Sequence, residues 1–122
     1  MNNTKNVLGT ELKMCCAGTG FQRDGFCQVI SEDVGNHSVC AIVTEEFLQM
    51  QARLGNDLIT PYPAYQFPGL KAGDRWCVCV SRWKQAYDVG LAPKVDLEAT
   101  SEAALGVVSL AMLQEKSIST NN

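Results

Sequence analysis

The stretch that decides the fold is VCAIVTEEFLQMQARL, residues 39–54. Its first five residues form an unbroken apolar run with three β-branched side chains, which is typical of a strand covered on both faces. The residues that follow predict a helix over residues 45–54, because Thr44 can cap its start and Glu45 and Glu46 suit its positive end. Gly55 can end the helix in the left-handed conformation.

Weaker patterns predict the elements on either side of this stretch. They are short strands over residues 26–30, 76–80 and 94–99, a helix that begins at Ser81, and helical turns over residues 100–105 and 110–115. Strands and helices mix without a regular βαβ repeat, so the pattern indicates an α+β fold. We expect a short mixed or antiparallel sheet packed by two or three helices.

Residues 56–74 contain three prolines and two glycines but no helical or strand period. Long loops in compact domains usually cover a core edge or form a site. Because the stretch also carries Tyr62, Tyr65, Phe67 and Leu70, we expect an ordered loop that packs against the core.

Length and composition indicate one compact domain over residues 1–122, with flexible ends at residues 1–6 and 118–122. Hydrophobic residues make up 46% and charged residues 19% of the chain, close to the globular average. A net charge of -3 and the lack of a basic cluster argue against nucleic acid as a partner.

The chain begins with polar residues and no visible secretory signal, and its longest nearly apolar stretch, residues 103–113, is too short to cross a bilayer. These features predict a cytoplasmic protein with no membrane role. In a reducing compartment, an even number of cysteines is no argument for a disulfide framework.

The chain has six cysteines and one histidine. Alternation in the predicted strand over residues 76–80 puts Cys77 and Cys79 on one face. A tetrahedral zinc site needs about four Cys or His ligands, and the candidates are Cys15, Cys27, His37, Cys40, Cys77 and Cys79. These spacings are weaker evidence than the paired knuckles of zinc ribbons, and the cysteines also fit a simpler interpretation as small buried hydrophobes.

Two further interpretations use the same residues. Thiol redox chemistry would pair two cysteines, and a disulfide between distant residues, such as Cys40 with Cys77, strains the backbone less than one between Cys77 and Cys79. An enzyme would need a nucleophile, a base and an orienting group, for which Cys40 or Cys27, with His37 and Asp33, are the candidates.

Many short motifs in register extend over nearly the whole chain. They include Arg23-Asp24-Gly25, Glu32-Asp33-Val34-Gly35, Val39-Cys40-Ala41, Gly55-Asn56-Asp57-Leu58, Phe67-Pro68-Gly69-Leu70-Lys71, Trp76-Cys77, Ser81-Arg82-Trp83 and Leu97-Glu98-Ala99-Thr100. With these motifs the chain resembles an uncharacterised bacterial family, domain of unknown function 2237. The resemblance implies one compact domain and transfers no activity. Phe26 stands where relatives often carry cysteine, and Ser101 where histidine is common.

The sequence therefore favours a small cytoplasmic domain with a Cys/His cluster and a non-catalytic binding or structural role, with zinc as the candidate cofactor. A thiol-redox protein and a Cys/His-dependent enzyme are the alternatives. No residue pattern indicates an organic cofactor.

Overall fold

The computed structural model of the protein describes residues 4–20, 22–65 and 67–118. In these residues the helices and strands are, in chain order, β1 (Val39–Ile42), α1 (Glu45–Arg53), β2 (Arg75–Val78), α2 (Val80–Tyr87), β3 (Lys94–Val95) and α3 (Leu110–Glu115), with 3₁₀ helices at Pro63–Tyr65, Leu97–Ala99 and Glu102–Gly106. The α+β prediction is confirmed.

The sheet has three strands in the order β2-β1-β3, and both neighbours run antiparallel to β1. As the central strand, β1 is covered on both faces, and its residues Val39, Cys40 and Ala41 are all fully buried. In the register with β2, Cys40 lies directly opposite Cys77. The sheet therefore holds two cysteines side by side.

Helix α1 starts as the sequence predicts. The hydroxyl of Thr44 accepts a hydrogen bond from the backbone N–H of Phe47, and Gly55 has a φ of 92° just after the helix ends. Phe47 and Met50 face the core as expected, but Leu54 is exposed.

One apolar cluster joins the sheet to the helices. Trp83 of α2 is its largest fully buried side chain, and its indole N–H donates to the carbonyl of Pro93 at 3.1 Å. The cluster takes side chains from all three strands and from α1, α2 and α3. We call residues 39–118 the core half.

Residues 4–38, which we call the N-terminal segment, lie outside the named strands and helices wherever the structure describes them. Turns and isolated bridges hold this segment, including bridges from Asn6 to Ser101 and from Cys27 to Thr100. The buried Asn6 amide bonds backbone groups of Leu8, Thr10, Glu11 and Glu98. The segment therefore runs against the core half as ordered, irregular chain.

Three predicted elements differ from the structure. The strand over residues 26–30 is wrong, since only Cys27 forms a bridge there. The strand over residues 94–99 stops at Val95, because Asp96 caps a 3₁₀ helix by accepting the backbone N–H of Glu98. The strand over residues 76–80 ends at Val78, and Cys79 already occupies the N-cap position of α2.

The loop over residues 56–74 packs down as expected, with Phe67 and Leu70 buried and a bridge between Tyr62 and Phe67. Asn6, which lies in the stretch expected to be flexible, is instead buried and hydrogen-bonded. Residues 1–3 and 119–122 lie outside the described residues, so their flexibility stays a prediction. Within the described part of the chain, every helix is too short or too polar to cross a membrane.

Candidate functional site

Four of the six cysteines meet beside the sheet and form two disulfides. Cys15 bonds Cys40, with Cα atoms 5.7 Å apart, and Cys27 bonds Cys77, with Cα atoms 5.2 Å apart. Each bond joins one cysteine of the N-terminal segment to one strand cysteine. All four side chains are buried, and Ala99 completes their cluster.

The sheet and the turns of the N-terminal segment account for this convergence. Cys40 and Cys77 are cross-strand partners, so their side chains share one face of the sheet. On the other side, the backbone N–H of Cys15 donates to the carbonyl of Gly25 at 2.7 Å. This bond holds Cys15 in place, and a backbone bridge to Thr100 holds Cys27.

The structure corrects two expectations about the cysteines. Cys40 and Cys77 lie opposite each other as the pairing hypothesis requires, but each bonds a cysteine of the N-terminal segment instead. The expectation that Cys77 and Cys79 share a strand face is also wrong, because the strand ends between them. Cys79 is a half-buried free cysteine, and Cys16 is an exposed one.

Each strand sulfur has a polar neighbour that the sequence did not single out. Nη2 of Arg75 lies 3.5 Å from Sγ of Cys40, and its Nε donates to the carbonyl of Cys15 at 2.8 Å. The buried Thr19 hydroxyl lies 3.4 Å from Sγ of Cys77 and donates to the carbonyl of Cys16. Of these two neighbours, only Arg75 could have been noticed in the sequence, because it directly precedes the Trp76-Cys77 strand pattern.

Three of the sulfurs are close enough to share a ligand. The Sγ atoms of Cys15, Cys27 and Cys77 all lie within 4.8 Å of one another. Sγ of Cys40 is bonded to that of Cys15. Among the described residues, the other metal candidates, Cys40, His37 and Cys79, do not belong to this group of potential ligands.

His37 forms a pair with Asp33. Its Nδ1 lies 2.6 Å from Oδ1 of Asp33, and the second carboxylate oxygen accepts the backbone N–H of His37 at 2.9 Å. The Asp33 side chain is completely buried, whereas that of His37 is 37% exposed. A Cβ atom on Gly35 would lie 2.7 Å from Cε1 of His37, so the glycine leaves room for the imidazole ring.

A pocket of about 340 Å³ brings His37 and the sulfur cluster to one surface. Both His37 and Cys77 line it. A cation–π pair forms another wall, in which the guanidinium of Arg23 lies 5.2 Å from the ring of Trp76. Gly20 and four residues of the loop over residues 56–74 complete the lining: Asp57, Leu58, Tyr62 and Phe67. The long loop thus forms part of a site.

The carboxylate of Asp57 is fixed at the pocket wall by a turn. It accepts the backbone N–H groups of Ile59 and Thr60. Hydrogen bonds from the Thr60 side chain and from these two backbone groups lower the pKa of Asp57 below its ordinary value. The pocket therefore contains a fixed negative charge as well as Arg23.

The candidate catalytic residues fall into two groups. Asp33 and His37 pair as the enzyme hypothesis requires, but Cys40 is bonded to Cys15 and does not line the pocket. The cysteine that lines the pocket together with His37 is Cys77, a buried residue. Sequence reasoning did not find this combination, because the two residues meet only through the pairing of β1 with β2.

No curated protein matches this chain. A family model described as an uncharacterised protein conserved in bacteria (DUF2237) matches residues 5–117, which include every cysteine and the Asp33–His37 pair. The sulfur cluster and the pocket therefore lie within the matched region, and the chain belongs to the DUF2237 family.

Proposed function

We propose that the protein is a thiol–disulfide redox domain, in which the Cys27–Cys77 disulfide exchanges with the thiol of a ligand bound in the pocket. The observation that carries this proposal is that Cys77 and the Asp33-paired His37 line the same pocket. A disulfide, a histidine and a binding cavity are the parts that such exchange needs.

The two disulfides have different surroundings, which selects one of them for exchange. Cys77 lines the pocket, whereas Cys15 and Cys40 do not. Sγ of Cys40 instead faces the guanidinium of Arg75, which is itself paired with Asp96. The Cys15–Cys40 disulfide is therefore not the one that exchanges with a ligand of the pocket.

The buried carboxylate of Asp33 sets the tautomer of His37. A carboxylate only accepts hydrogen bonds, so Nδ1 of the imidazole donates to it. Oriented in this way, the imidazole is the group of the pocket proposed to take up the proton of a ligand thiol. The exposed part of the imidazole provides the path between the pocket and solvent.

The exchange then proceeds in two balanced steps. The ligand thiolate attacks Sγ of Cys77, the Cys27–Cys77 bond breaks, and the Cys27 thiolate takes up a proton. A second ligand thiol attacks the mixed disulfide on Cys77, which releases an oxidised ligand disulfide and leaves two cysteine thiols. Two ligand thiols are oxidised and one protein disulfide is reduced.

We place this activity in the cytoplasm as part of the same proposal. Disulfides that form in reducing compartments are usually transient and catalytic or redox-sensing. A disulfide on a pocket wall fits that class better than a permanent cross-link does.

The test compares two single thiols in a background that lacks both free cysteines, Cys16→Ser with Cys79→Ser. Adding Cys27→Ser leaves the Cys77 thiol at the pocket, and adding Cys15→Ser instead leaves the Cys40 thiol as a matched control. The probe is dithiodipyridine, whose thione product absorbs light. We expect the Cys77 thiol to react faster, and His37→Gln to slow that reaction by about 100-fold.

Equal rates for the two thiols would contradict the proposal. So would thiols that react only after denaturation, because both disulfides would then be structural. Graded reduction of the unmodified protein, followed by alkylation and peptide mass spectrometry, gives a second measurement that needs no variant. There we expect Cys27 and Cys77 to be alkylated before Cys15 and Cys40, and the reverse order would also contradict the proposal.

A further inference from the structure

We infer that the fully reduced protein binds one thiophilic divalent cation, such as Zn²⁺, through the four thiolates of Cys15, Cys27, Cys40 and Cys77. This metal site goes beyond the proposed exchange reaction and does not require it. The two disulfides described above would be the metal-free form of the same four sulfurs.

The four sulfurs lie in one buried cluster, from which small shifts would reach a tetrahedral arrangement once both disulfides are reduced. Zinc–thiolate bonds of about 2.3 Å in a tetrahedron place the sulfurs about 3.8 Å apart. Three of the sulfurs lie within 4.8 Å of one another, and the fourth, Cys40, is bonded to Cys15. Reduction frees the two members of each pair to separate by the small distance that coordination needs.

Backbone placement favours these four residues over the other candidates. Cys40 and Cys77 are fixed by the register between β1 and β2, whereas Cys15 is held by its backbone bond to Gly25 and Cys27 by its bridge to Thr100. Breaking a disulfide does not break those hydrogen bonds. The reduced protein therefore keeps its four thiols together, whereas Cys79 lies on the N-cap of α2.

The polar groups near the strand sulfurs suit a charged metal centre. Four thiolates around Zn²⁺ carry a net charge of −2, which is costly to bury without partners. Arg75, which is paired with Asp96, lies 3.5 Å from Sγ of Cys40. The Thr19 hydroxyl, which donates to the carbonyl of Cys16 here, lies 3.4 Å from Sγ of Cys77 and can turn to that sulfur once it is a thiolate. Hydrogen bonds of this kind orient ligands and tune the affinity of metal sites.

The metal would also replace the mechanical role of the disulfides. Reduction removes both covalent links between the N-terminal segment and the sheet, and a cation bound to all four sulfurs restores them. Binding releases four protons, one from each thiol. Oxidation by a small-molecule disulfide reverses it: the metal–thiolate centre, two oxidant disulfides and four protons give two protein disulfides, four small thiols and free Zn²⁺.

The first experiment uses the whole protein, reduced with a phosphine and titrated with Co²⁺ and then with Zn²⁺. We expect one Co²⁺ per chain with the sulfur charge-transfer and tetrahedral ligand-field bands of four thiolates, displaced by one Zn²⁺. We also expect Zn²⁺ to raise the melting temperature of the reduced protein and to leave the oxidised protein unchanged. A reduced protein that binds no Co²⁺ overturns the inference.

Variants assign the ligands. The double variant Cys16→Ser with Cys79→Ser is the matched control and should keep the spectrum, whereas Cys27→Ser should lose the four-thiolate bands. Thr19→Val, which keeps the side-chain volume, should lower affinity by about tenfold. Loss of binding in the control variant would place the metal on the free cysteines and overturn the inference.

One further variant separates this inference from the proposed function. His37→Gln should retain full Co²⁺ binding while it slows thiol exchange. Exchange that is as fast in His37→Gln as in the unmodified protein, with intact metal binding, would contradict only the redox proposal. Slowed exchange with lost metal binding would contradict only the metal site.

Discussion

The core half and the N-terminal segment are stabilised in different ways. The core half buries a continuous apolar cluster between its sheet and its helices. The N-terminal segment contributes few side chains to that cluster, and it is attached by two disulfides, backbone bridges and turn hydrogen bonds. Order in this chain therefore does not require regular secondary structure.

The comparison teaches where stability and chemistry reside. Apolar packing gives the core half a fixed sheet, and the sheet fixes the positions of Cys40 and Cys77. The N-terminal segment supplies the complementary cysteines, the Asp33–His37 pair and Arg23 of the pocket. The partners of the strand cysteines and the Asp33–His37 pair thus lie in the part of the molecule that contributes least to the apolar cluster.

The largest effect should come from removing the centre of the apolar cluster. Trp83→Ala deletes a fully buried indole and its hydrogen bond to Pro93, and we expect a loss of about 3 to 5 kcal/mol in the free energy of unfolding. Urea denaturation measures this. Trp83→Phe, which keeps most of the apolar contact, should lose less, and equal losses would argue against packing as the main source of stability.

The next effect should come from the link between the two regions. Cys27→Ala with Cys77→Ala removes a disulfide that joins residues 50 apart, and we expect a loss of about 2 to 4 kcal/mol, because the unfolded chain gains freedom.

Hydrogen exchange should locate that effect. Amides of the N-terminal segment should lose protection before those of α1, and the control Cys16→Ala with Cys79→Ala should change neither measurement. Equal loss of protection in both regions would show that they unfold as one unit.

A smaller effect should follow from removing a helix cap inside the core half. Thr44→Ala leaves the backbone N–H of Phe47 without its hydroxyl acceptor, and we expect a loss of about 1 kcal/mol. Thr44→Ser keeps the acceptor and serves as the control in the same urea titration. A loss in the alanine variant no larger than in the serine variant would mean that packing alone fixes the start of α1.

The smallest effect should appear as a pH dependence at the contact between α2 and α3. The hydroxyl of Tyr87 donates to the carboxylate of Glu115 at 2.6 Å, and this bond raises the pKa of Tyr87 above its ordinary value of 10.0. The folded protein favours the neutral phenol, so below the ordinary pKa the hydrogen bond contributes fully to the free energy of unfolding. It is lost as the pH rises through the higher pKa of the folded state.

Unfolding experiments at stepped alkaline pH, together with the ultraviolet absorbance of tyrosinate, measure this contribution. The free energy of unfolding should fall with pH above about 10, and Tyr87→Phe should remove part of that slope. Tyr62→Phe leaves the contact with Glu115 intact and is the control. An unchanged slope in Tyr87→Phe would show that the bond does not contribute.

The sequence predicted best where local signals agree. The apolar run of β1, the Thr44 cap and the helical turn over residues 110–115 each depend on neighbours along the chain, and all three are present in the structure. The strand predicted over residues 26–30 is absent. A strand needs a partner, and in this stretch only Cys27 pairs, with Thr100, which is far away in the chain.

The candidate site was predictable only in part. Composition identified the residues, but the pairing of Cys15 with Cys40 and of Cys27 with Cys77 depends on strand register and on turns without periodicity. The link between His37 and Cys77 has the same origin. The cytoplasmic location and the lack of nucleic-acid and membrane partners stay predictions.

The alternating order of the disulfides has a consequence for synthesis on the ribosome. Cys15 and Cys40 emerge with Cys27 between them, while Cys77, the partner of Cys27, is still to be translated. During that interval, Cys27 is exposed to Cys15, Cys16 and Cys40 as incorrect partners. The correct disulfides therefore form only if the cysteines of the nascent chain stay reduced until β2 has paired with β1.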